Sequence, residues 1–328
     1  MKWALIGASQ IASNWMVGAI RAVGDEIVGV ISGSAEHGQA FAQQHGIAHA
    51  DTRLEALRDW GAEAVYVSST NDKHEAQTLA AARLGLHVLC EKPLATSLDA
   101  AKRMAQACQD AGVTMGTNHH LRHNAAHQAM RAAVAAGELG EVVAARAMHS
   151  VYLRQDLQTW RLNNVVAGGG VVLDIAVHNA DSVAFVLGEY PLAVTAMVSS
   201  SGMGQGLEDN AMSVWHMPSG ATVSAHQGFN TPYAPAGLEV HGTRGSMLGR
   251  GVMNQGPDGV LLQLDAGGER AIELPRYNLY ERVLRHFHLA RQGQAHDLAD
   301  GWAGVRSLQV ALAILESAQT GRTVELAP

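Results

Sequence analysis

Short apolar runs alternate with segments of helical periodicity along the first 117 residues. The runs have the length of buried strands, and the segments between them repeat apolar side chains every three to four residues, as amphipathic helices do. The expected strands are residues 2–6, 26–32, 64–68, 88–90 and 113–116, and the expected helices are residues 35–45, 54–59, 75–84 and 98–110. This alternation predicts right-handed βαβ crossovers and a parallel, doubly wound sheet.

The pattern changes after residue 117. Helices are expected at residues 125–136, 171–187, 279–292 and 302–320, with a long strand at 142–152. Three pairs of short apolar runs flank glycine-containing turns and predict hairpins over residues 211–228, 238–250 and 260–274. We therefore expect an α/β protein with two domains. Residues 1–117 would form a Rossmann domain, and residues 118–328 an α+β domain with a large, open, mainly antiparallel sheet.

Composition and charge exclude several classes of protein. The chain is 47% hydrophobic and 16% charged, as ordinary globular proteins are. A net charge of -7 without a basic run argues against nucleic acid or an anionic membrane as a partner. No apolar run approaches membrane-spanning length, and Cys90 and Cys108 lie in an expected strand and helix, as reduced thiols do. We expect a cytoplasmic protein, with the open sheet face as a surface for homo-oligomerisation.

A glycine turn joins the first strand to the first helix. The segment Gly7-x-Ser9-x-x-Ala12, with Gln10 and Ile11 inside it, is a degenerate form of the dinucleotide-binding turn. Small residues at these positions permit the tight turn, the approach of the backbone to a pyrophosphate and close packing of the helix. Many βα turns look similar. The position of this turn, at the start of a βαβ series, is what favours dinucleotide binding.

The residues after the second strand bear on the choice of nicotinamide cofactor. An NAD-selective site usually carries Asp or Glu there to bind the ribose 2′-hydroxyl. This chain has Ser32 and Gly33 instead, followed by His37 in the next helical turn. Hydroxyl groups and an imidazole suit a 2′-phosphate better than a carboxylate would. We therefore expect NADP, with NAD as the alternative because the site has no arginine.

A charged pair follows the fourth apolar run, in the stretch Val88-Leu89-Cys90-Glu91-Lys92-Pro93. Proline disfavours helical backbone at the residue before it, so Lys92 is expected in an extended or turn conformation. Open α/β sheets bind their ligands at the carboxyl ends of the strands, which makes Lys92 a candidate catalytic residue. The alternative is an ordinary solvated lysine at a strand exit.

Residues 168–178, Gly-Gly-Gly-Val-Val-Leu-Asp-Ile-Ala-Val-His, are the second informative stretch. Asp174 and His178 share one face of an otherwise apolar helix, and burying both requires a reason. His178 is a candidate proton donor because imidazole titrates near neutral pH. The alternative is a core pair without a catalytic role. A metal site is not expected, since no further cluster of ligands stands at suitable spacing.

Two other polar groups are candidates for binding. Ser69, Thr70, Asn71 and His74 follow the third strand, either near a nicotinamide ribose or as the capped start of a helix. The second group supplies polar donors and a stacking ring, a combination common in carbohydrate recognition; it consists of residues 118–122 (Asn-His-His-Leu-Arg) with Trp160 and Arg161.

These motifs resemble those of the glucose–fructose oxidoreductase / inositol dehydrogenase / MocA (Gfo/Idh/MocA) family. The resemblance rests on the glycine turn, on Glu91-Lys92-Pro93 and on Asp174-x-x-x-His178 after a glycine run, and it covers nearly the whole chain. Longer stretches, among them His-Val-Leu-Cys-Glu-Lys-Pro-Leu-Ala and Gly-Thr-Asn-His-His-Leu-Arg, are similar to a branch that reduces a cyclic keto-sugar with NADPH.

The resemblance implies a role for each candidate. Lys92 would polarise the substrate carbonyl, His178 would protonate the alkoxide, and Asp174 would position His178 or a substrate hydroxyl. Cofactor-lining positions of the branch match Ser9, Ala12, Ser32, Ser69, Thr70, Asn71, His74, Glu91, Asn118, Trp160, Arg161 and Tyr280, and the expected cofactor-binding set adds Gly7, Gln10, Ile11, Gly33, His37 and Lys92. Because His37 stands where the branch has an arginine, we expect a weakened preference for NADP.

Three alternatives stay open. A polyol or inositol dehydrogenase would use the same residues in the other direction. A trans-dihydrodiol dehydrogenase would act on a less polar substrate, which the polar residues at 118–122 and 160–161 disfavour. A non-catalytic nucleotide-binding regulator would need neither Lys92 nor His178.

Overall fold

Residues 1–327 are described by the computed structural model, which divides the chain into two units. The first unit comprises Met1–His119 and Tyr280–Val305, and the second comprises His120–Leu279 with Arg306 and the residues after it. The expected domains, 1–117 and 118–328, placed residues 280–305 in the second domain, whereas the structure groups this segment with the first. Its apolar side chains complete the first unit's core.

The first unit is built on a six-stranded parallel sheet in the order β3-β2-β1-β4-β5-β6. Its strands are β1 (Lys2–Ile6), β2 (Glu26–Ile31), β3 (His49–Asp51), β4 (Ala64–Val67), β5 (His87–Cys90) and β6 (Met115–Thr117). The helices between them are α1 (Val17–Ala22), α2 (Ala35–His45), α3 (Ala56–Asp59), α4 (His74–Arg83) and α5 (Leu98–Asp110). The expected doubly wound sheet is confirmed. The sequence pattern did not predict β3, because its three residues, His49-Ala50-Asp51, are too few and too exposed to carry a strand signal.

Apolar strands and capped helices explain why this sheet forms. Residues of β4 are all buried, as expected for a parallel strand covered on both faces. Ser34 caps α2 by accepting a hydrogen bond from the His37 amide, and Ser97 caps α5 in the same way. The core is closed by the segment after residue 279: the rings of Trp3 and Phe287 lie 5.2 Å apart.

The second unit is built on a nine-stranded mixed sheet in the order β14-β13-β12-β11-β7-β10-β9-β8-β15. Its strands are β7 (Val142–Ser150), β8 (Ala193–Ser199), β9 (Asn210–His216), β10 (Thr222–Gly228), β11 (Gly237–Gly242), β12 (Gly245–Arg250), β13 (Val260–Asp265), β14 (Gly268–Ile272) and β15 (Val324–Glu325). Within residues 1–327, the remaining α-helices are α6 (Ala125–Ala135), α7 (Val177–Leu187), α8 (Leu279–Arg291) and α9 (Gly301–Thr320). Only β7 and β10 pair in parallel, so the expected mainly antiparallel sheet is confirmed.

The two faces of this sheet differ. Along β9, buried Ala211, Ser213 and Trp215 alternate with exposed side chains. On the covered face, α7 is tied to β10 because Asn179 Nδ2 donates to Gln227 Oε1 at 3.1 Å. The opposite face leaves Met197 79% exposed. Within residues 1–327, no helix combines the length and apolarity needed to cross a bilayer.

A buried carboxylate anchors the start of the chain. Asp25 accepts hydrogen bonds from the terminal amine of Met1 at 2.7 Å and from Trp3 Nε1 at 2.8 Å, and His288 Nε2 lies 2.8 Å from it. Burial raises the pKa of Asp25, but these hydrogen bonds outweigh it and the pKa is lowered from 3.8. The ionised carboxylate therefore stabilises the fold.

Replacing this carboxylate tests its contribution. Asp25→Asn should lower the free energy of unfolding by about 2 kcal/mol at pH 7, since the charge-assisted hydrogen bonds are lost. The pKa of Asp25 in the folded protein lies below 3.8, the value for the unfolded chain. The wild-type protein therefore loses the stabilisation by the ionised carboxylate as the pH falls through the folded-state pKa. Urea unfolding of both proteins between pH 7 and pH 3 should show a difference that shrinks with acidity. A difference that stays constant would contradict this role.

Candidate active site

Only glycine can occupy the end of β1. Gly7 has φ +115°, and a Cβ there would lie 2.8 Å from the Ser68 carbonyl carbon and the Ser69 nitrogen. Its amide donates to the Ile31 carbonyl at 2.8 Å, and Ser9 Oγ lies 2.7 Å from Ser68 Oγ. The carboxyl ends of β1, β2 and β4 are thus drawn together. The tight backbone at Gly7 is compatible with the expected pyrophosphate-binding role of this turn, which stays a prediction.

The chain enters the first helix through a π-helical turn, Ala12–Met16. Ala12 is fully buried, so a small residue is required for the helix to pack on the sheet. Its amide donates to Ser9 Oγ at 3.2 Å, while Gln10 is exposed and Ile11 half-buried. π-Helical turns are rare and frequent at functional sites, and the wider turn here lies beside the proposed pyrophosphate position.

The end of β2 presents an open polar surface. Ser32 is buried, while Gly33 and His37 are exposed. The carboxylate at the end of the neighbouring β3, Asp51, is occupied by Arg53, whose Nη2 lies 3.2 Å away. The structure therefore brings Ser32, Gly33 and His37 together at one strand end, with His37 accessible to solvent.

His74 joins the loops after β4 and β5. It is fully buried; Nδ1 lies 3.1 Å from the Pro93 carbonyl oxygen and Nε2 lies 3.2 Å from that of Ser69. Burial lowers the pKa of His74, so the ring is neutral and donates through only one nitrogen. Ser69 Oγ donates to Gln77 Oε1 at 2.6 Å, and Asn71 is buried. His74, which the sequence predicted to line the cofactor, thus holds the segment just after Lys92 through an internal contact.

The end of β5 carries a buried carboxylate. Glu91 Oε1 accepts hydrogen bonds from Tyr66 Oη and from Asn118 Nδ2, each at 2.5 Å. Burial raises the pKa of Glu91, and it raises that of Tyr66 well above 10, so the phenol keeps its proton and donates it. Lys92, the next residue, is half-buried and joined to Pro93 by a cis peptide bond. Two expected site residues, Glu91 and Asn118, are therefore in direct contact.

In the second unit, Glu208 caps the helix that carries Asp174 and His178. Its carboxylate accepts from the Val172 amide at 3.1 Å, and its carbonyl from the Val171 amide at 3.1 Å. Gly170, with φ +102°, is required because a Cβ would overlap the Glu208 carboxylate. Burial raises the pKa of Glu208 against its hydrogen bonds. The glycine run thus makes room for a capping residue that lies 36 residues beyond Val172, whose amide it accepts from.

Asp174 lies in a second π-helical turn, Val172–Ala176, which leads directly into α7. Arg161 Nε lies 3.4 Å from Asp174 Oδ2, and the Arg161 guanidinium stacks 4.6 Å from the Trp160 ring centre. The expected helix over residues 171–187 is present, but its first turn is wider than α-helical. The structure brings Trp160, Arg161 and Asp174 together.

His178 lies between two other imidazoles. It is 6% exposed, and its ring centre lies 5.3 Å from that of His120 and 5.5 Å from that of His149. Nearby in α7, Asp181 accepts hydrogen bonds from Arg122, with 2.6 Å between Nη2 and Oδ1. A buried imidazole among polar neighbours is chemically suited to hold and give up a proton. Among residues 1–327, no group of three or more His, Cys, Asp or Glu side chains is arranged to hold a metal ion.

Sequence reasoning missed Tyr66, Gln77, His149 and Glu208 as partners of the candidate residues. Tyr66 and His149 lie inside strands, where the apolar pattern concealed their polar atoms. Glu208 stands in a loop far along the chain from the helix it caps. His120 belonged to a polar segment that was expected to supply donors for carbohydrate recognition, and its position beside His178 was not foreseen. Tyr280 is buried and stacks on Trp15, with ring centres 5.4 Å apart, inside the first unit's core.

The parallel sheet and its glycine turn define a dinucleotide-binding oxidoreductase domain. Residues 1–119 match the family described as "Oxidoreductase family, NAD-binding Rossmann fold", and residues 127–248 match "GFO/IDH/MocA C-terminal domain". The chain belongs to the Gfo/Idh/MocA oxidoreductase family, which confirms the resemblance stated above.

Similar proteins span the whole chain. It is 49% identical to 1,5-anhydro-D-fructose reductase of Ensifer adhaerens over 99% of this chain and 98% of that protein. It is 29% identical to D-xylose 1-dehydrogenase (NADP(+)) 2 of Haloferax volcanii, over 99% and 100%. The crystal structure of aldose–aldose oxidoreductase from Caulobacter crescentus, complexed with glycerol, aligns over 99% of both chains with a TM-score of 0.90 and 25% identity.

The steric requirement at Gly7 can be tested with a matched glycine. Gly7→Ala should weaken NADH binding at least about tenfold, because the turn must take a strained backbone and move away from β4. Gly18→Ala is the control: Gly18 is an exposed residue of α1, and a Cβ there meets no atom within 4 Å. Fluorescence titration with NADH measures the affinity of both variants for the cofactor. Equal binding by Gly7→Ala and wild type would contradict the role of the turn.

Proposed function

We propose that this protein reduces 1,5-anhydro-D-fructose to 1,5-anhydro-D-mannitol with NADPH, and more weakly with NADH. The observation that carries the proposal is the 49% identity, over 99% of the chain, to a reductase of that name. Lys92, Asp174 and His178 support it, since they are the residue types that carbonyl reduction requires.

The proposed chemistry assigns one task to each residue. A bound nicotinamide supplies a hydride to the carbonyl carbon. Lys92 offsets the negative charge that develops on the carbonyl oxygen. His178 gives that oxygen a proton, for which its buried, polar surroundings suit it. Asp174, held by Arg161, orients His178 or a hydroxyl group of the sugar.

The cofactor preference follows from the end of β2. Exposed His37 and the hydroxyl of Ser32 can contact a 2′-phosphate, and no carboxylate of β2 stands there to repel it. A neutral imidazole offers a single donor where an arginine would offer a charged fork. The preference for NADPH over NADH should therefore be modest, about tenfold rather than a thousandfold.

The alternatives predict different substrates for the same residues. A polyol or inositol dehydrogenase would reduce NAD(P)⁺ with a cyclic polyol and would leave the anhydro-sugar untouched. A trans-dihydrodiol dehydrogenase would prefer a less polar diol. A regulator would bind NADPH and turn over no substrate.

The decisive experiment follows absorbance at the nicotinamide band while purified protein meets 1,5-anhydro-D-fructose, with NADPH and NADH in parallel. We expect turnover with both cofactors and a higher kcat/KM with NADPH. If neither cofactor is consumed, the anhydro-sugar assignment is wrong, and a panel of polyols with NADP⁺ and NAD⁺ distinguishes the alternatives.

Variants test the proposed roles. Lys92→Met should lower kcat at least about 100-fold, because a cation that stabilises the transition state is lost. His178→Gln should lower it by about 100-fold and flatten the pH profile, because the proton donor is lost. NADPH binding, measured by fluorescence, should remain within a factor of about two in His178→Gln. Near-normal turnover in either variant would refute the role assigned to that residue.

We propose also that the open sheet face joins two copies of the chain. Met197, Met212 and Val214 are 79%, 58% and 52% exposed on it, and large apolar patches mark protein interfaces. Arg146 and Glu239 form an ion pair on the same face, 3.2 Å apart. Two copies of this face can therefore meet without placing like charges against each other.

Light scattering should give the mass of a dimer. Met197→Asp should give a monomer, while Tyr233→Asp, at a 96% exposed position outside this face, should not. A wild-type monomer would refute the proposal.

A further inference from the structure

The carboxylate of Glu91 has two protein donors on one oxygen. Tyr66 Oη and Asn118 Nδ2 both donate to Oε1 at 2.5 Å, and the Tyr66 side chain is fully buried. Tyr66 lies in β4 and Glu91 at the end of β5, two strands that are direct neighbours in the sheet. A buried carboxylate is costly unless it is hydrogen-bonded, and these two donors meet that cost.

The Glu91 carboxylate also interacts with the neighbouring residue, Lys92. The backbone amide of Lys92 donates a hydrogen bond to it, and the Lys92 ammonium attracts it electrostatically. The Glu91 amide is itself fixed by the Val67 carbonyl at 2.9 Å, and the Asn118 amide by the Cys90 carbonyl at 2.7 Å. Both the main chain and the charge of Lys92 therefore interact with the Glu91 carboxylate, and Tyr66 and Asn118 hold that carboxylate in position.

A role for Glu91 in holding the strands alone would not require ionisation. Backbone hydrogen bonds already join β4 to β5 and β5 to β6. Burial raises the pKa of Glu91, whereas the hydrogen bonds from Tyr66 and Asn118 and the charge of Lys92 lower it, so all three favour the ionised form. The group that gains from an ionised Glu91 is the cation next to it.

We propose that Tyr66 is a positioning residue for Lys92, acting through Glu91. Its phenol holds the Glu91 carboxyl group in place and favours the ionised form, and Glu91 in turn positions the segment that carries Lys92. The inference rests on the proposed function, because it takes Lys92 as the cation that acts on the substrate carbonyl. It assigns Tyr66 no contact with substrate.

The test is a double-mutant cycle measured by steady-state kinetics with NADPH and 1,5-anhydro-D-fructose. Tyr66→Phe should lower kcat about tenfold with little change in KM for NADPH, and Glu91→Gln should lower it further. In a Lys92→Arg background, where the cation is retained but misplaced, Tyr66→Phe should cost less than twofold, because residues that act as a unit are not additive. If Tyr66→Phe lowered kcat by the same factor in the wild-type and the Lys92→Arg backgrounds, the proposal would be overturned.

A pH profile supplies a readout that a structural role would not move. Removing the phenol removes a hydrogen bond that lowers the pKa of Glu91, so the acid limb of kcat should shift to higher pH in Tyr66→Phe. The ionisable groups that face Glu91 include Tyr66, Lys92 and Cys90, and Tyr66 in turn faces Tyr280; burial keeps the Cys90 thiol and the Tyr66 phenol neutral by raising the pKa of each. An unshifted limb would overturn the proposal.

Asp25→Asn is the matched control, since it removes a hydrogen-bonded carboxylate from the same unit at a position without contact to Glu91. It should destabilise the protein and leave kcat unchanged within twofold. Failure of the proposed function is distinguishable, because wild type would then consume neither cofactor with the anhydro-sugar. Failure of the role assigned to Lys92 would appear as near-normal turnover in Lys92→Met. Loss in Lys92→Met together with wild-type kinetics in Tyr66→Phe would overturn only the positioning role.

Discussion

The close approach of β1 to the end of β4 is the constraint on which the first unit depends. It exists because Gly7 has no Cβ: any side chain would meet the backbone of Ser68 and Ser69. This approach lets Ser9 Oγ reach Ser68 Oγ, which ties the turn to the end of β4. The π-helical turn follows directly, and Ala12 at its start is fully buried. One missing carbon atom thus sets the shape of the dinucleotide turn.

Each unit also holds its candidate chemical group through a glutamate outside the expected catalytic set, Glu91 buried and Glu208 half-buried. Glu91 fixes the segment of Lys92, and Glu208 caps the helix of Asp174 and His178. In both, burial raises the pKa of the carboxyl group and hydrogen bonds from the protein oppose that shift. Each carboxylate is held rigidly, because leaving it without its hydrogen-bond donors would cost free energy of folding.

Much of the fold could be predicted, because apolar runs of strand length and helical repeats are local properties. The parallel sheet, the mainly antiparallel sheet and the glycine turn were all expected, and the structure has them. Short or irregular elements could not be predicted: β3 has three residues, and the π-helical turns leave no periodic signal. The parallel pairing of β7 with β10 was also unforeseen, since it joins strands that are far apart in the chain.

The sequence by itself determined which residue types are available for chemistry and where they stand relative to strand ends: Lys92 after β5, Asp174 and His178 after a glycine run. Motif spacing carries that information because residues close together in sequence lie on the same helix or strand, whose geometry fixes their relative positions. Only the tertiary structure decided their partners. Tyr66 lies 25 residues from Glu91, and Glu208 lies 36 residues from Val172. Hydrogen bonds across such separations form where folding brings buried polar atoms together, and no local pattern records that.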